Sequence, residues 1–121
     1  MNWIRGRMGS WIWMIVALAL GFFWLSRNRG HLIDASEARR LVGSGASLVD
    51  VRTPAEYSGG HIDGAVNIPL NQVESRIADF GERSSPIVLY CRSGARSGKA
   101  LQILQSKGFT QVHNLGGIGN W

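Results

Sequence analysis

Hydrophobic and polar positions divide the chain into two parts with different patterns. Residues 8–26 carry no charge, and Arg7 and Arg27 bound this uncharged stretch. A helix of that length, at about 1.5 Å per residue, nearly matches the ~30 Å hydrocarbon core of a bilayer. Tryptophans near both ends of the stretch are typical of the membrane interface. The pattern predicts one transmembrane helix over about residues 8–26, within an N-terminal anchor of residues 1–29.

A cleaved signal peptide and a buried core helix are the alternatives for this segment. A signal peptide ends in small residues at a cleavage site, whereas the sequence FFWLSRNRGH (residues 22–31) has no A-x-A-like pattern. A core helix rarely lacks a polar face over so many residues. Both features favour an uncleaved anchor that contacts the lipid bilayer.

The arginines that flank the apolar stretch predict its orientation. Two arginines precede it, and four follow it within 15–20 residues (Arg27, Arg29, Arg39 and Arg40). An excess of Lys and Arg marks the cytoplasmic side of a membrane helix. A reduced lone cysteine also suits the cytosol. We therefore expect a single-pass protein of the inner or plasma membrane with a cytoplasmic C-terminal domain.

From residue 30 to residue 121, short apolar runs alternate with amphipathic segments. The predicted strands are 47–51, 65–68, 87–90 and 112–115, and the predicted helices are 34–42, 53–57, 73–80 and 97–106. The run Ile87–Tyr90 is apolar at every position, which is typical of a central strand in a helix-covered parallel sheet. Alternation of strands and helices with short connections predicts an α/β domain with a mostly parallel sheet.

Charge is distributed unevenly between the two parts. The formal net charge is +5, but four of the 13 Lys and Arg residues lie in the first 30 residues, where no acidic residue occurs. The remaining basic residues nearly balance the eight acidic ones. Because a nucleic-acid binder carries its basic excess on the folded domain, this distribution argues against nucleic acid as a partner.

The single cysteine, Cys91, excludes an internal disulfide framework. It lies in YCRSGARS, directly after the apolar strand and before a helix, where sites form in parallel sheets. A turn of this kind directs backbone N–H groups and the positive end of a helix toward one point, and Gly94 permits the necessary dihedral angles. With Arg92 and Arg96 adding charge, we expect a thiolate whose pKa lies well below that of a free cysteine. The alternative is an ordinary loop cysteine beside solvated arginines.

The size of this loop separates two classes of cysteine enzyme. Cysteine phosphatases use C-x5-R, a loop that fits a tetrahedral phosphate, whereas four residues separate Cys91 from Arg96 here. Ser97 stands where the longer loop needs its arginine, and Tyr90 replaces the histidine that usually precedes the phosphatase cysteine. A shorter loop suits a single sulfur atom carried on the cysteine, so phosphatase-like chemistry is disfavoured.

Three separated stretches resemble the rhodanese-homology domain family. They are DVRTPAEYSGGHIDGAVNIPL (50–70), IVLYCRSGARS (87–97) and NLGGIGNW (114–121). The resemblance implies a sheet of about five parallel strands flanked by helices, in a domain of residues 30–121. It also implies a sulfurtransferase that needs no metal or organic cofactor.

Site roles also follow from the resemblance. Cys91 would be the nucleophile and persulfide carrier, and Arg92 and Arg96 would attract a small anionic donor such as thiosulfate. A thiol or cyanide would accept the sulfur. The backbone of the loop would hold the transferred sulfur; its residues are Arg92, Ser93, Gly94, Ala95, Arg96 and Ser97. A binding or scaffold module of the same fold at the membrane, with little or no catalysis, is the alternative function.

Residues outside the loop receive weaker predictions. Asp50 and Arg52 lie at the end of the strand 47–51. We expect Asp50 either to contact the loop backbone or Arg96, or to form a strand-end capping pair with Arg52. His61 is interpreted as structural, because transfer from an ionised thiol needs no general base. Glu56 is interpreted as an acidic residue on a helix surface.

Overall fold

A computed structural model describes residues 11–20 and 31–121. The chain divides into two compact units, Met1–His31 and Leu32–Trp121. In the first unit, residues 11–20 are helical and exposed. The other parts of the predicted span, 8–10 and 21–26, lie outside the described residues. Among the helices that the structure describes, none is both long enough and apolar enough to cross a membrane.

The second unit is built on a parallel sheet. Its strands are β1 (Ser47–Asp50), β2 (Val66–Asn67), β3 (Ile87–Cys91) and β4 (Val112–Gly117), in the order β2-β1-β3-β4. Every pairing between these strands is parallel. The predicted α/β class with a mostly parallel sheet is therefore confirmed, and the fully apolar strand β3 is central as expected.

The expectation of about five strands is wrong, because the described residues form a sheet of four. Beside β4, the part of the chain that the structure describes adds only an isolated parallel bridge between Leu32 and Asn114, and the N–H of Ile33 donates to the Asn114 carbonyl at 3.0 Å. The next residue, Asp34, already caps a helix. The chain thus leaves the sheet edge before a fifth strand extends beyond one bridge.

Three α-helices flank the sheet: α1 (Ala35–Gly43), α2 (Pro54–Ser58) and α3 (Ala95–Ser106). Helix α1 starts where the capping pattern predicts, since the Asp34 carboxylate accepts a hydrogen bond from the Glu37 N–H at 2.8 Å. Thr53 and Glu56 form a complete capping box on α2. These helices agree with the predicted ones to within one or two residues at most ends.

The predicted helix 73–80 is wrong. Two 3₁₀ turns, Leu70–Gln72 and Ile77–Phe80, occupy this region with non-helical turns between them. The Ser75 hydroxyl donates to the Gln72 carbonyl at 3.1 Å, a local bond that competes with regular helix formation. Arg76 has φ −113° and ψ 30°, outside the helical region. The apolar pattern has a different cause, because Val73 and Phe80 are buried core residues.

Strand β3 separates two core clusters. Alternate side chains of a strand point to opposite faces of the sheet. Ile87, Leu89 and Cys91 pack in the cluster that contains Ala100, Leu101 and Leu104 of α3. Val88 and Tyr90 belong to the other cluster, with Ala38 of α1. Cys91 is consequently the last residue of the central strand, on the face that α3 covers.

Candidate active site

The connection between β3 and α3 consists of only three residues, 92–94. Gly94 is the N-cap of α3 and has φ +100°, a left-handed conformation that favours glycine. A Cβ at this position would also lie 3.3 Å from the Cα of Gly116. The loop can therefore turn tightly because residue 94 is glycine, and this turn aims the first N–H groups of α3 back at Cys91.

The Cys91 side chain is fully buried and accepts hydrogen bonds from this loop. Its Sγ lies 2.9 Å from the Gly94 nitrogen and 3.5 Å from the Ser97 Oγ. Burial by itself raises the pKa of the thiol, but hydrogen bonds from Ser97 and from the Gly94 and Ser93 N–H groups outweigh it and lower the pKa. The loop thus stabilises the thiolate, which is the nucleophilic form.

Strand β4 supports the loop from behind. Cys91 pairs with Gly117 in the parallel register, which is shifted between Leu89 and Tyr90. A Cβ on Gly117 would lie 2.7 Å from the Arg92 carbonyl oxygen, closer than real Cβ contacts. The glycine at 117 therefore lets the cysteine loop pack directly on the strand. The sequence motif NLGGIGNW contains this glycine, but the motif alone does not indicate its contact with the loop.

Arg96 forms an ion pair that the sequence analysis did not predict. Its Nη1 lies 2.6 Å from Glu56 Oε1, and its Nη2 lies 3.0 Å from Glu56 Oε2. The hydrogen bonds from Arg96, with further ones from Thr53, lower the pKa of Glu56 to about 2. We expected the charges of Arg92 and Arg96 to help lower the pKa of Cys91. In the structure, the leading causes that lower this pKa are instead hydrogen bonds within the loop. The charge of Arg96 is paired with a carboxylate.

A sequence signal for Glu56 existed, although it was incomplete. The order Thr-Pro-Ala-Glu is a capping box, so it indicates that the carboxylate is held at the start of α2. Spacing along the chain does not reveal that Arg96, 40 positions away, is the other partner. Only the parallel sheet, which brings the ends of β1 and β3 together, creates this contact.

Asp50 and Arg52 form a buried pair with each other. Asp50 Oδ2 lies 2.7 Å from Arg52 Nη2, and their side chains are 0% and 8% exposed. Arg52 also donates to the Gly60 carbonyl at 2.7 Å. Of the two predicted alternatives, the strand-end pair is the one observed, because Arg52 donates to the Asp50 carboxylate while Arg96 donates to Glu56.

The predicted loop residues lie together around Cys91, with different exposures. Ser97 is buried, Gly94 and Arg96 are partly buried, and Arg92, Ser93 and Ala95 are exposed. His61 is exposed as well, with its ring stacked on Tyr57 at 3.7 Å between centroids. Within residues 11–20 and 31–121, no group of His, Cys, Asp and Glu is arranged to hold a metal ion.

The sequence of this chain is similar to those of known proteins. Residues 34–121 match the family described as the Rhodanese-like domain. Thiosulfate sulfurtransferase PspE of Escherichia coli (strain K12) is 42% identical over 71 residues, which are 58% of this chain and 68% of PspE. The uncharacterized protein YqhL of Bacillus subtilis (strain 168) is 47% identical over 77 residues. Those residues are 63% of this chain and 60% of YqhL, so the chain spans less than two thirds of that relative.

A solved structure agrees with these sequence matches. The human single-domain sulfurtransferase TSTD1 is 32% identical and superposes with a TM-score of 0.65, covering 74% of this chain and 90% of TSTD1. The family match extends over most of the chain and includes β1, the cysteine loop and β4. The chain belongs to the rhodanese-like domain family.

Proposed function

We propose that this protein is a sulfurtransferase. It moves sulfane sulfur from a small anionic donor of the thiosulfate type to a thiophilic acceptor, with Cys91 as the carrier. Relatives named as sulfurtransferases support this proposal. The same proposal includes residues 92–97, which bind the donor and the transferred sulfur, and Asp50 and Arg52, which support the loop.

One observation supports the proposal more than any other. Cys91 Sγ lies at the focus of a loop whose N–H and hydroxyl donors lower the pKa of the thiol despite its complete burial. Donors aimed in advance at a negative sulfur stabilise the thiolate, and they stabilise a persulfide anion by the same interaction. An inert structural cysteine has no need of such donors.

The reaction has two steps of nucleophilic catalysis. The Cys91 thiolate attacks the outer sulfur of thiosulfate, so that an S–S bond forms on Cys91 while the S–S bond of the donor breaks. Sulfite leaves with the electron pair of the broken bond. A thiolate or cyanide then attacks the outer sulfur of the persulfide, and the electron pair of the Cys91 S–S bond returns to Cys91 as a thiolate. Asp50 and Arg52 act only through the backbone that they hold in place.

The test is the intact mass of the full chain after incubation with thiosulfate. We expect a mass increase of one sulfur atom, its loss on addition of cyanide, and no increase in Cys91→Ser. Asp79→Asn, a substitution on the exposed surface, serves as a control that should behave as wild type. A folded protein with a free thiol that gains no sulfur from any sulfane donor would contradict the proposal.

A second candidate is a binding module of the same fold without catalysis. Its supporting observation is the 0% exposure of Cys91, because a small donor reaches the sulfur only if the loop admits it. The mass experiment separates the two candidates. The binding module forms no persulfide, whereas the enzyme forms one and releases its sulfur to cyanide over repeated turnovers.

We further propose that residues 8–26 anchor the protein in a membrane as a single span, with the C-terminal domain on the cytoplasmic side. The absence of charge between Arg7 and Arg27 supports the span, as do the exposed apolar side chains of residues 11–20. The four arginines that follow the segment support the orientation.

Alkaline carbonate extraction of membranes tests the anchor on the full chain. We expect the protein in the membrane pellet. The double variant Val16→Arg with Leu18→Arg should move it toward the supernatant, because each central arginine costs about 2.5–3.5 kcal/mol on insertion scales. Release of the unaltered chain would contradict an integral helix. Protease added to inverted and right-side-out vesicles tests the orientation, with cleavage of the domain expected only in inverted ones.

A further inference from the structure

We propose that Glu56 determines the charge selectivity of the site, by neutralising Arg96 and so favouring monoanionic sulfane donors over dianionic thiosulfate. For sulfur donors this inference rests on the proposed function. It concerns a residue outside the cysteine loop, and it names the donor class more narrowly. Monoanionic donors include organic persulfides and thiosulfonates, in which the transferable sulfur carries the only negative charge.

The first step of the argument is the geometry of the ion pair. Both terminal nitrogens of Arg96 bond Glu56, at 2.6 Å and 3.0 Å from its two carboxylate oxygens. This bidentate arrangement is the strongest pairing available to a guanidinium. An anionic donor that uses Arg96 must therefore displace a carboxylate rather than water.

The second step is that Glu56 is held in place independently of Arg96. Its Oε1 accepts hydrogen bonds from the Thr53 hydroxyl at 3.0 Å and from the Thr53 N–H at 3.2 Å. The Glu56 N–H in turn donates to the Thr53 hydroxyl at 3.2 Å. The capping box of α2 thus fixes the carboxylate, so that it does not swing away when a donor arrives.

The third step concerns the remaining charge near Cys91. The Arg96 and Glu56 side chains are only 33% and 28% exposed, so water screens their charges less than it would on an open surface. Arg92 of the loop is exposed, and it forms no ion pair within the described part of the chain. With Arg96 paired, Arg92 is the loop arginine whose charge no carboxylate of the described residues neutralises, and one such charge matches a monoanion better than a dianion.

A matched pair of donors tests the inference. Thiosulfate is a dianion and methanethiosulfonate a monoanion, and the thiolate displaces sulfite from the first and methanesulfinate from the second by the same S–S exchange. In Glu56→Gln, we expect the ratio of kcat/KM for thiosulfate to that for methanethiosulfonate to rise about three- to tenfold, and the rise to shrink at about 1 M salt. The substituted amide still accepts hydrogen bonds from Thr53, and Glu56→Ala is a second variant expected to change the ratio in the same direction.

Glu37→Gln is the matched control. It removes the same charge from another Glu–Arg pair, in which Glu37 Oε1 lies 2.6 Å from Arg40 Nη2 on the exposed surface of α1. We expect no change in the donor ratio for this variant. An unchanged or reduced ratio in both Glu56 variants would overturn the inference, since a merely structural role changes the rate with both donors alike.

Alkylation of Cys91 separates failure of this inference from failure of the proposed function. Iodoacetate is anionic and iodoacetamide neutral, and the ratio of their rate constants cancels any change in the thiolate fraction. We expect Glu56→Gln to raise this ratio, again by about three- to tenfold. A raised ratio in a protein that accepts sulfur from neither donor would contradict the sulfurtransferase and leave the charge selectivity of Glu56 standing. Sulfur transfer with an unchanged donor ratio and an unchanged alkylation ratio would support the sulfurtransferase and contradict the charge selectivity of Glu56.

Discussion

At the scale of single residues, the chemistry of Cys91 depends on its immediate hydrogen-bond donors. Burial opposes ionisation of the thiol, and the bonds from Ser97, Gly94 and Ser93 reverse that effect. The Ser97 hydroxyl lies 3.5 Å from the sulfur and 3.1 Å from the Gly94 carbonyl oxygen. The Ser97 hydroxyl has a single proton, so it donates either to the sulfur or to the Gly94 carbonyl. A negative charge on the sulfur favours donation to the sulfur.

Replacement of this hydroxyl is expected to raise the pKa of Cys91. In Ser97→Ala the side-chain donor is lost, while the Gly94 N–H remains 2.9 Å from the sulfur. The rate of iodoacetamide alkylation should therefore fall at about pH 6 and stay unchanged well above the pKa of a free thiol. The pH profile of alkylation measures this shift.

Ser106→Ala is the control for that experiment. Ser106 lies at the other end of α3 and donates to the Ile103 carbonyl at 2.6 Å. Its removal changes the same helix without touching the sulfur. A pH profile that moves equally in both variants, or moves downward in Ser97→Ala, would contradict the role given to Ser97.

At the scale of secondary-structure elements, the site is a junction of strand ends. The carboxyl ends of β1 and β3 are adjacent, so the start of α2 and the start of α3 lie together. Strand β4 closes the back of the junction with glycines that allow the loop to contact its backbone. Helix α2 contributes Glu56, helix α3 contributes Arg96, and β4 contributes the close backbone contact at Gly117.

A methyl group at position 117 should disrupt this junction. Because its Cβ would lie 2.7 Å from the Arg92 carbonyl, Gly117→Ala forces the loop to move. We expect a cost of about 1–3 kcal/mol in the free energy of unfolding, together with slower persulfide formation. Gly119→Ala, where no atom lies within 4 Å of the added Cβ, should leave both unchanged. Equal effects of the two substitutions would show that the tight contact is unimportant.

The buried pair at the end of β1 should be important for stability. Asp50→Asn leaves the Arg52 guanidinium buried without its carboxylate, which is expected to cost about 3 kcal/mol in the free energy of unfolding. Asp79→Asn breaks an exposed pair with Arg76, with a cost expected below about 1 kcal/mol. Urea denaturation of both variants measures the difference, and a loss in Asp50→Asn no larger than in Asp79→Asn would contradict this interpretation.

At the scale of the whole molecule, the chain combines an apolar N-terminal segment with a nearly charge-balanced domain. Four ion pairs occur among the described residues, and the carboxylates of Glu56 and Glu37 have lowered pKa values because of their arginine partners. Such groups connect the stability of the domain to pH.

Acid should destabilise the domain partly through Glu56. Its carboxylate has a pKa of about 2 in the folded protein, against 4.5 for an ordinary glutamate, so its contribution is complete above pH 4.5. That contribution is lost as the pH falls from about 4.5 toward about 2. Glu56→Gln should therefore lose less stability than wild type between neutral and acid pH. Thermal unfolding of both proteins at the two pH values measures this, with Glu82→Gln, at an exposed position, as the control.

Most of the element boundaries were predictable because their causes are local. Asp34 caps α1 by accepting a hydrogen bond from the N–H of Glu37, three residues along the chain. Gly108, with a positive φ, lies just after the end of α3. The error at 73–80 arose because Val73 and Phe80 have helical spacing, although Val73 is buried from a non-helical turn and Phe80 from the 3₁₀ turn Ile77–Phe80. The fifth strand came from the family resemblance rather than from residues of this chain, and it is reduced to the bridge at Leu32.

The sequence by itself determined the alternation of elements, the position of Cys91 at a strand end and the left-handed turn at Gly94, because these depend on neighbours within a few residues. Only the tertiary structure decided which charges meet. It paired Arg96 with Glu56 and Asp50 with Arg52, and it placed Gly117 against the loop. The physical reason is that parallel pairing of β1, β3 and β4 brings together residues that are far apart in the chain. The spacing of side chains along the sequence does not reveal the register in which these strands pair.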